Sequence, residues 1–332
     1  MIKKDMYFFV PDEIAYYLFS DVIKDTNCCL VFFKRSFIGK LLLSETHLFS
    51  KLLSFLGLRN FVSKFSFCYE FDKKILSSKD NIFVFVGDSL NIGYQYIKHL
   101  SKANKAIYIA LILDSFNASS PTVYKTKNFL KQNVLDGIYS YDDNDCDKYN
   151  WKKINKNYFS TSAFSKIKFS ENPTDCYFIG GLKGDRTGLI LELFENLRLH
   201  NIYSRFELFC MNKKQFKNRK FKDEISYLKK WIPYSNVVQS VYSTNCIIEI
   251  LQKNQLIQSA RYFEALYFNK KLLSNNPNLK ELPFYDERYM RYFEKVEDVD
   301  FDWIRKKEEI DYGYKGEFSP LNLVKMIRVD FS

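Results

Sequence analysis

NCIIEILQKNQLIQSARYFEALYFNKKLLSNN, residues 245–276, reads as strand, loop, helix and strand in immediate succession. Residues 246–250 form a short apolar run and 252–259 are polar. Over 260–268, Tyr262, Phe263, Leu266 and Tyr267 recur at helical spacing, and 271–274 turn apolar again. Strands alternating with short helices indicate a parallel α/β sheet. Ligands of such sheets sit outside the carboxyl ends of the strands, where the loop after Ile250 and the start of the helix fall. Arg261 and Glu264 are three apart and share a helix face. A cation and a carboxylate at a helix start above a sheet can serve a phosphate and a ribose. The same spacing also describes a surface ion pair.

A second strand–loop–helix junction lies upstream. Residues 175–179 read as a strand, 180–186 (GGLKGDR) as a loop with three glycines, and 187–199 as a helix. Small residues let main-chain N–H groups approach an anion at a helix N-terminus, and Lys183 and Arg186 add fixed positive charge. The pattern is neither GxGxxG nor the GK[ST] of a P-loop, so it also fits a tight βα turn with exposed basic residues. Both loops are expected on one sheet edge. There Gly181, Lys183, Arg186 and Arg261 can surround a diphosphate while Glu264 accepts from a ribose hydroxyl.

Working outward, strands are expected at 29–33, 81–86, 106–113 and 137–141, with helical segments at 41–64, 90–103 and 119–135 and a further strand at 65–71. The run 106–113, AIYIALIL, is apolar throughout, as for a strand buried on both faces. The acidic residues 142–145 read as a turn. The polar tract 165–174, SKIKFSENPT, marks a boundary, giving domains at 1–165 and 175–312, with 313–332 packing back on the first. In the second domain, strands are also expected at 205–211, near Val237 and Val238, and at 290–293, with a terminal helix at 302–310.

The 332 residues suffice for two cores. Eleven Gly and seven Pro argue against long flexible linkers. The seven Cys include no CxxC pair, as expected of reduced thiols in a cytosolic protein. The start, MIKKDMYFFVPDE, lacks the apolar core of a secretory leader, and no run of 18 apolar residues suggests a membrane span. The net charge of +11 suits anionic partners. Its densest part, 212–230, also fits a solvated face. It comes with no nucleic-acid-binding signature, so no nucleic-acid partner is expected. The basic and aromatic region 32–67 reads first as an ordinary core-facing helix and second as a membrane-surface patch.

The run IIEILQKNQLIQSARYFEALYFNKKLLSNN resembles the nucleotide-binding segment of GT-B-type bacterial glycosyltransferases of lipopolysaccharide and capsule synthesis, with their R-x-x-E-A-L…KKL-x-x-N pattern. YFIGGLKGDRTGLILELFENL is similar to the opening of their second domain, and 135–160 to the end of their first. The resemblance spans about residues 80–300. It implies two Rossmann-like domains facing each other across a cleft, the C-terminal one holding a nucleotide-sugar and the N-terminal one a glycan or lipid-linked acceptor. Glu264 then matches the ribose-binding carboxylate, and Lys183, Arg186 and Arg261 match cations on the phosphate side. The implied protein is cytoplasmic, associates with the inner face of the membrane, and needs no cofactor beyond the donor.

Many retaining members carry a second glutamate in the same motif. Here the matching position is Leu256 and the nearest preceding glutamate is Glu249, so inversion is expected. Inversion needs a general base for the acceptor hydroxyl. Asp88 and Asp114, each just after an apolar strand, are the candidates, although either also fits a turn or helix cap. The histidines at 47, 99 and 200 do not cluster. The DxD formed by Asp143 and Asp145 reads as part of the acidic turn, and no metal site is expected. Alternatives are a non-catalytic protein that binds phosphorylated glycan or nucleic acid, and another nucleotide-sugar enzyme such as an epimerase.

Overall fold

The structure is a computed structural model. It describes residues 5–32, 80–87, 89–90, 97, 101, 105–113, 134–154, 158–162, 164, 167, 169, 173–182, 186–210, 215, 217, 220–252 and 258–332. The chain divides into two compact units, one of Met1–Ser162 with Phe318–Ser332 and one of Ala163–Glu317. The expected elements within 33–79, 91–96 and 114–133 lie outside the described residues.

The first unit holds a parallel sheet in the order β2-β1-β3-β4-β5-β6. Its strands are β1 Met6–Val10, β2 Cys28–Phe32, β3 Ile82–Val86, β4 Ile107–Ile112, β5 Gly137–Ser140 and β6 Lys152–Lys153. β3 is buried at every position and β4 at all but its first, as continuous apolar runs flanked by strands on both sides must be. Phe9 stacks on Phe85 at 4.8 Å between ring centroids, and Phe83 meets Tyr108 edge-on at 5.5 Å. β1 was not among the expected strands. Its MYFFV lies between a basic start and Pro11, too short to show a period.

Residues 142–145 are not a turn. Asp142 caps helix α2, Asp143–Tyr149, by accepting from the Asp145 N–H at 3.1 Å. Acidic residues in a first turn are stabilised by the positive end of the helix dipole, so a run that reads as a turn by composition starts a helix. Helix α1, Glu13–Phe19, has the same kind of cap, Asp12. The last helix of the chain, Leu321–Asp330, also belongs to this unit. Arg328 pairs with Asp25, Asp330 bonds to Lys152 and Tyr139, and the Phe331 ring fills the space beside Gly137, where a Cβ would come within 2.8 Å of it.

The second unit holds a second parallel sheet, β12-β11-β10-β7-β8-β9. Its strands are β7 Thr174–Gly181, β8 Ser204–Phe209, β9 Ser226–Leu228, β10 Thr244–Glu249, β11 Lys271–Ser274 and β12 Met290–Tyr292. Helix α3, Arg186–Leu199, buries Ile190, Leu193, Phe194 and Leu197, one stripe at helical period, against Phe206 and Phe178. Val237 and Val238 lie in helix α4, Tyr234–Ser243, and not in a strand. Tyr234, Val237, Val238 and Val241 are its buried face, a 3.6-residue period that outweighs the strand preference of adjacent valines. The strand in this part of the chain is β9, inside the basic run.

Helix α5 is Ala260–Phe268, capped by Ser259 and ended by Asn269 in the left-handed region. The expected terminal helix is only Phe301–Arg305, α6. Asn245 Nδ2 takes the carbonyl of Ile304, and Lys271 Nζ those of Trp303 and Lys306, so the chain leaves the helix there. The helix Leu321–Asp330 is α7.

Asp21 holds the first unit together where the chain leaves it and returns. Its carboxylate accepts from the Thr161 N–H (3.1 Å), the Ser162 N–H (2.9 Å) and hydroxyl (2.5 Å) and the Ser319 hydroxyl (2.9 Å), and pairs with Lys24 at 3.1 Å. Burial alone would raise its pKa. The hydrogen bonds from Ser162, with Lys24 and Ser319, outweigh burial and hold the carboxyl below its ordinary range. This stabilisation is present above the unfolded-state pKa of about 3.9 and is lost as pH falls through the lower folded-state value. Asp21→Asn is expected to cost about 2–4 kcal/mol at pH 7, and chemical denaturation should show the gap to wild type narrowing towards pH 3. A gap that does not change with pH would refute the assignment.

Candidate functional site

The strand order of the second unit reverses direction between β7 and β10. From β7 the chain runs outward through β8 to β9, then crosses back to β10 and continues through β11 to β12. Such a switch point leaves a crevice outside the strand carboxyl ends, because the connecting helices depart to opposite faces. The ends that meet here are Gly181 of β7, followed by Leu182, and Glu249 of β10, followed by Ile250.

Arg186 ties these two ends together. Its Nε and Nη2 donate to the Gly181 carbonyl at 3.1 and 2.7 Å, and its Nη1 donates to the Ile250 carbonyl at 2.7 Å. The expected loop glycines are part of the strand. Gly180 and Gly181 are the last residues of β7, in register with Leu208 and Phe209 of β8. A Cβ on Gly180 would come within 2.8 Å of the Phe178 ring and 3.4 Å of the Arg186 guanidinium, so a bare backbone is required there. Lys183 lies outside the described residues, as do Asp88 and Asp114 of the first unit.

Arg261 and Glu264 are both in α5 and both buried, with Glu264 at 0% exposure and Arg261 at 9%. Arg261 Nη2 donates to Glu264 Oε1 at 2.5 Å, and the Tyr234 hydroxyl donates to the same oxygen at 2.6 Å. The pair is therefore not on the surface. Burial pushes the Glu264 carboxyl up, and Arg261 and Tyr234 oppose this. For Arg261, burial works against the charge, but Glu264 and the neighbouring Tyr234, Tyr177 and Glu249 hold the guanidinium more firmly charged than usual.

Glu249, the last residue of β10, is also fully buried. Its Oε1 accepts from the Ser259 N–H at 2.7 Å and its Oε2 from the Ser274 hydroxyl at 2.6 Å. Burial raises its pKa against these hydrogen bonds. Asn275, beyond β11, brackets Leu251 with Oδ1 on its N–H (2.6 Å) and Nδ2 on its carbonyl (3.3 Å).

Three buried polar atoms at this edge have no hydrogen-bond partner among the described residues: Arg261 Nη1, Glu264 Oε2 and Asn276 Nδ2. Buried polar atoms are nearly always paired, since each unpaired one costs about 1–3 kcal/mol. Two donors and one acceptor, left over at the carboxyl ends of adjacent strands, suit a ligand that carries both anionic oxygens and hydroxyls. Sequence reasoning found Arg261 and Glu264 from their spacing. It did not find Tyr234, which sits in the misread helix, or Asn276. Glu249 was noted only as a glutamate out of position, although a carboxylate inside the apolar run CIIEI was a signal.

In the first unit, Ser89 follows the carboxyl end of β3 and the left-handed Gly87 (φ +51°). Its hydroxyl is buried and has no partner among the described residues. His200 stacks on Phe301 at 4.0 Å and bonds to the Asn196 carbonyl. Among the described residues, no three His, Cys, Asp or Glu side chains gather as a metal site, and no helix is long and apolar enough to cross a membrane.

The whole chain is similar in fold to an α-glucosyltransferase solved in complex with UDP-glucose and DNA containing an abasic site. The TM-score is 0.58 at 10% identity, covering 99% of this chain and 98% of the other. It is also similar to a Listeria monocytogenes structure described as a UDP-N-acetylglucosamine 2-epimerase, with TM-score 0.51, 9% identity, and 99% and 97% of the two chains covered. No protein-family model and no curated protein matches the sequence. At these identities the likeness establishes the fold alone. Two parallel six-stranded Rossmann-like sheets in one chain, matched over their whole length, define a protein of the GT-B fold.

The Arg261–Glu264 pair can be tested as a buried unit. Arg261→Met leaves Glu264 buried without its cation and is expected to cost about 3–5 kcal/mol. The double variant Arg261→Met with Glu264→Gln removes both charges, keeps an acceptor for Tyr234, and should recover most of that loss in urea unfolding. An equal loss in both variants would contradict the buried-pair assignment.

Proposed function

We propose that the protein is a glycosyltransferase that moves a sugar from a nucleotide-sugar donor to an acceptor hydroxyl. The observation that carries this reading is the set of buried Arg261 Nη1, Glu264 Oε2 and Asn276 Nδ2 at the switch point of the second sheet, which have no hydrogen-bond partner among the described residues. In this reading the donor lies at that edge. Glu264 Oε2 accepts from a ribose hydroxyl, and Arg261 and Lys183 face the diphosphate. Arg186 and Gly181 shape the β7 end against which the phosphates lie, with Arg186 holding the Gly181 and Ile250 carbonyls turned away from them.

Transfer requires that a base remove the acceptor proton while cations and dipoles stabilise the departing diphosphate. We assign the base to the first unit, to Asp114 or Asp88, with inversion at the sugar carbon and no metal. The acceptor is a glycan or lipid-linked glycan of a bacterial surface polysaccharide, lipopolysaccharide or capsule, met on the cytoplasmic side of the membrane. The resemblance over 245–276 supports this assignment.

The likeness to the epimerase supports a second reading, in which the same donor edge serves epimerisation of the nucleotide-sugar. The two differ in outcome. A transferase releases the nucleoside diphosphate only when an acceptor is present, whereas an epimerase converts the sugar without one.

UDP or GDP is expected to raise the melting temperature of the full chain by mass action. Glu264→Gln keeps an acceptor for Tyr234 but loses a charged hydrogen bond to ribose, which should weaken nucleotide binding about 10- to 100-fold. Unchanged affinity in a folded Glu264→Gln protein would refute the ribose assignment. Of Asp114→Asn and Asp88→Asn, the variant that removes the base should lower turnover by about 10²- to 10⁴-fold at unchanged nucleotide affinity. Full turnover in both variants would refute the assignment of the base.

A further inference from the structure

Glu249 belongs to none of the roles assigned above, yet its carboxylate reaches every element that presents one of the three unpartnered groups. It ends β10 and is fully buried. Oε1 accepts from the N–H of Ser259, the residue that caps α5. Ser259 in turn accepts from the Arg261 N–H through its hydroxyl at 3.2 Å. The start of α5, and with it Arg261 and Glu264, is therefore located from the end of β10.

Oε2 accepts from the Ser274 hydroxyl, and that hydroxyl accepts from the Asn276 N–H at 3.1 Å. The Glu249 main-chain carbonyl also accepts from the Asn275 N–H at 3.2 Å. Asn276, whose Oδ1 caps the next turn through the Asn278 N–H, is thus positioned through Ser274 by the same side chain. One carboxylate sets the positions of all three groups.

It also fills a place that an anionic ligand could have taken. The N-terminus of α5 offers a main-chain N–H and the positive end of a helix dipole to an anion. Here a protein carboxylate already occupies it, within a sheet edge where the desolvation of a charge needs such donors.

We infer that Glu249 is the positioning residue of the nucleotide site: it clamps the start of α5 and the end of β11 to the end of β10, so that Arg261, Glu264 and Asn276 stand ready for the donor. This rests on the proposed donor site. It adds that the diphosphate does not bind at the α5 N-terminus, whose Ser259 N–H is taken by Glu249, and is held by side chains. A substitution at Glu249 changes affinity through geometry, without loss of any atom that touches the ligand.

Glu249→Gln keeps an acceptor for the Ser259 N–H and gains a donor towards Ser274, so it should bind UDP within about threefold of the unchanged protein. Glu249→Ala should bind at least tenfold more weakly. Ser274→Ala, which removes the hydroxyl between Glu249 and Asn276 and leaves the Ser259 contact in place, should fall between them. Isothermal titration with UDP measures all three. Wild-type affinity in a folded Glu249→Ala protein overturns the inference, and so does a Glu249→Gln protein as weak as Glu249→Ala.

If Glu249→Ala does not fold, Ser274→Ala decides, and unchanged affinity there overturns the inference. Failure of the unchanged protein to bind any nucleotide refutes the proposed function instead. The clamp is then read by hydrogen exchange, which should quicken at 274–276 in Ser274→Ala. Unchanged exchange in that variant overturns the clamp.

Discussion

A network of buried charge holds the carboxyl edge of the second sheet. Glu264, Arg261 and Glu249 lie within one helix turn and one strand end, with almost no exposed surface among them. Burial of a single charge there would be prohibitive, because desolvation costs several kcal/mol per ion. The three are tolerable together because Arg261 faces Glu264, Tyr234 donates to Glu264, and main-chain and hydroxyl donors serve Glu249. This constraint ties α4, α5, β10 and β11 into one arrangement.

The topology decides where that network falls. In the second sheet the reversal lies between β7 and β10, and Arg186 bonds across it. In the first sheet the order β2-β1-β3 places the reversal between β1 and β3, so the edge after β3 occupies the equivalent place. There Gly87 takes a left-handed conformation and Ser89 buries its hydroxyl. Each unit thus carries unsatisfied polar chemistry outside the strand ends at its own switch point. The first unit has its own mechanical centre in Asp21, whose donors come from both passages of the chain out of and into the unit.

Much of this was legible in the residues. The stretch 245–276 yielded β10, α5 and β11 nearly to the residue, because short apolar strands and a 3.6-residue stripe alternate there without ambiguity. β3, β4 and β5 were legible for the same reason. The errors have a common origin. Val237 and Val238 looked like strand because adjacent β-branched residues favour it, but the period of their neighbours put them on the buried face of α4. The acidic residues 142–145 looked like a turn by composition, but Asp142 caps a helix. The helix expected over 302–310 stops at Arg305 because Lys271 and Asn245, distant in sequence, take its carbonyls. Composition and propensity are local, whereas caps and carbonyl capture depend on partners elsewhere.

By itself the sequence determined the α/β class, the parallel sheets, and the presence of Arg261 and Glu264 on one helix face, because periodicity and spacing are written in consecutive residues. It could not separate a surface ion pair from a buried one, since both have the same i,i+3 spacing. Only the tertiary structure decided that the pair is buried, that Tyr234 from another helix completes it, and that Arg186 spans two strand ends. It alone showed that Glu249, Ser259, Ser274 and Asn276 form one chain of hydrogen bonds. Burial and long-range hydrogen bonds depend on which segments the fold brings together, and no window of consecutive residues contains that information.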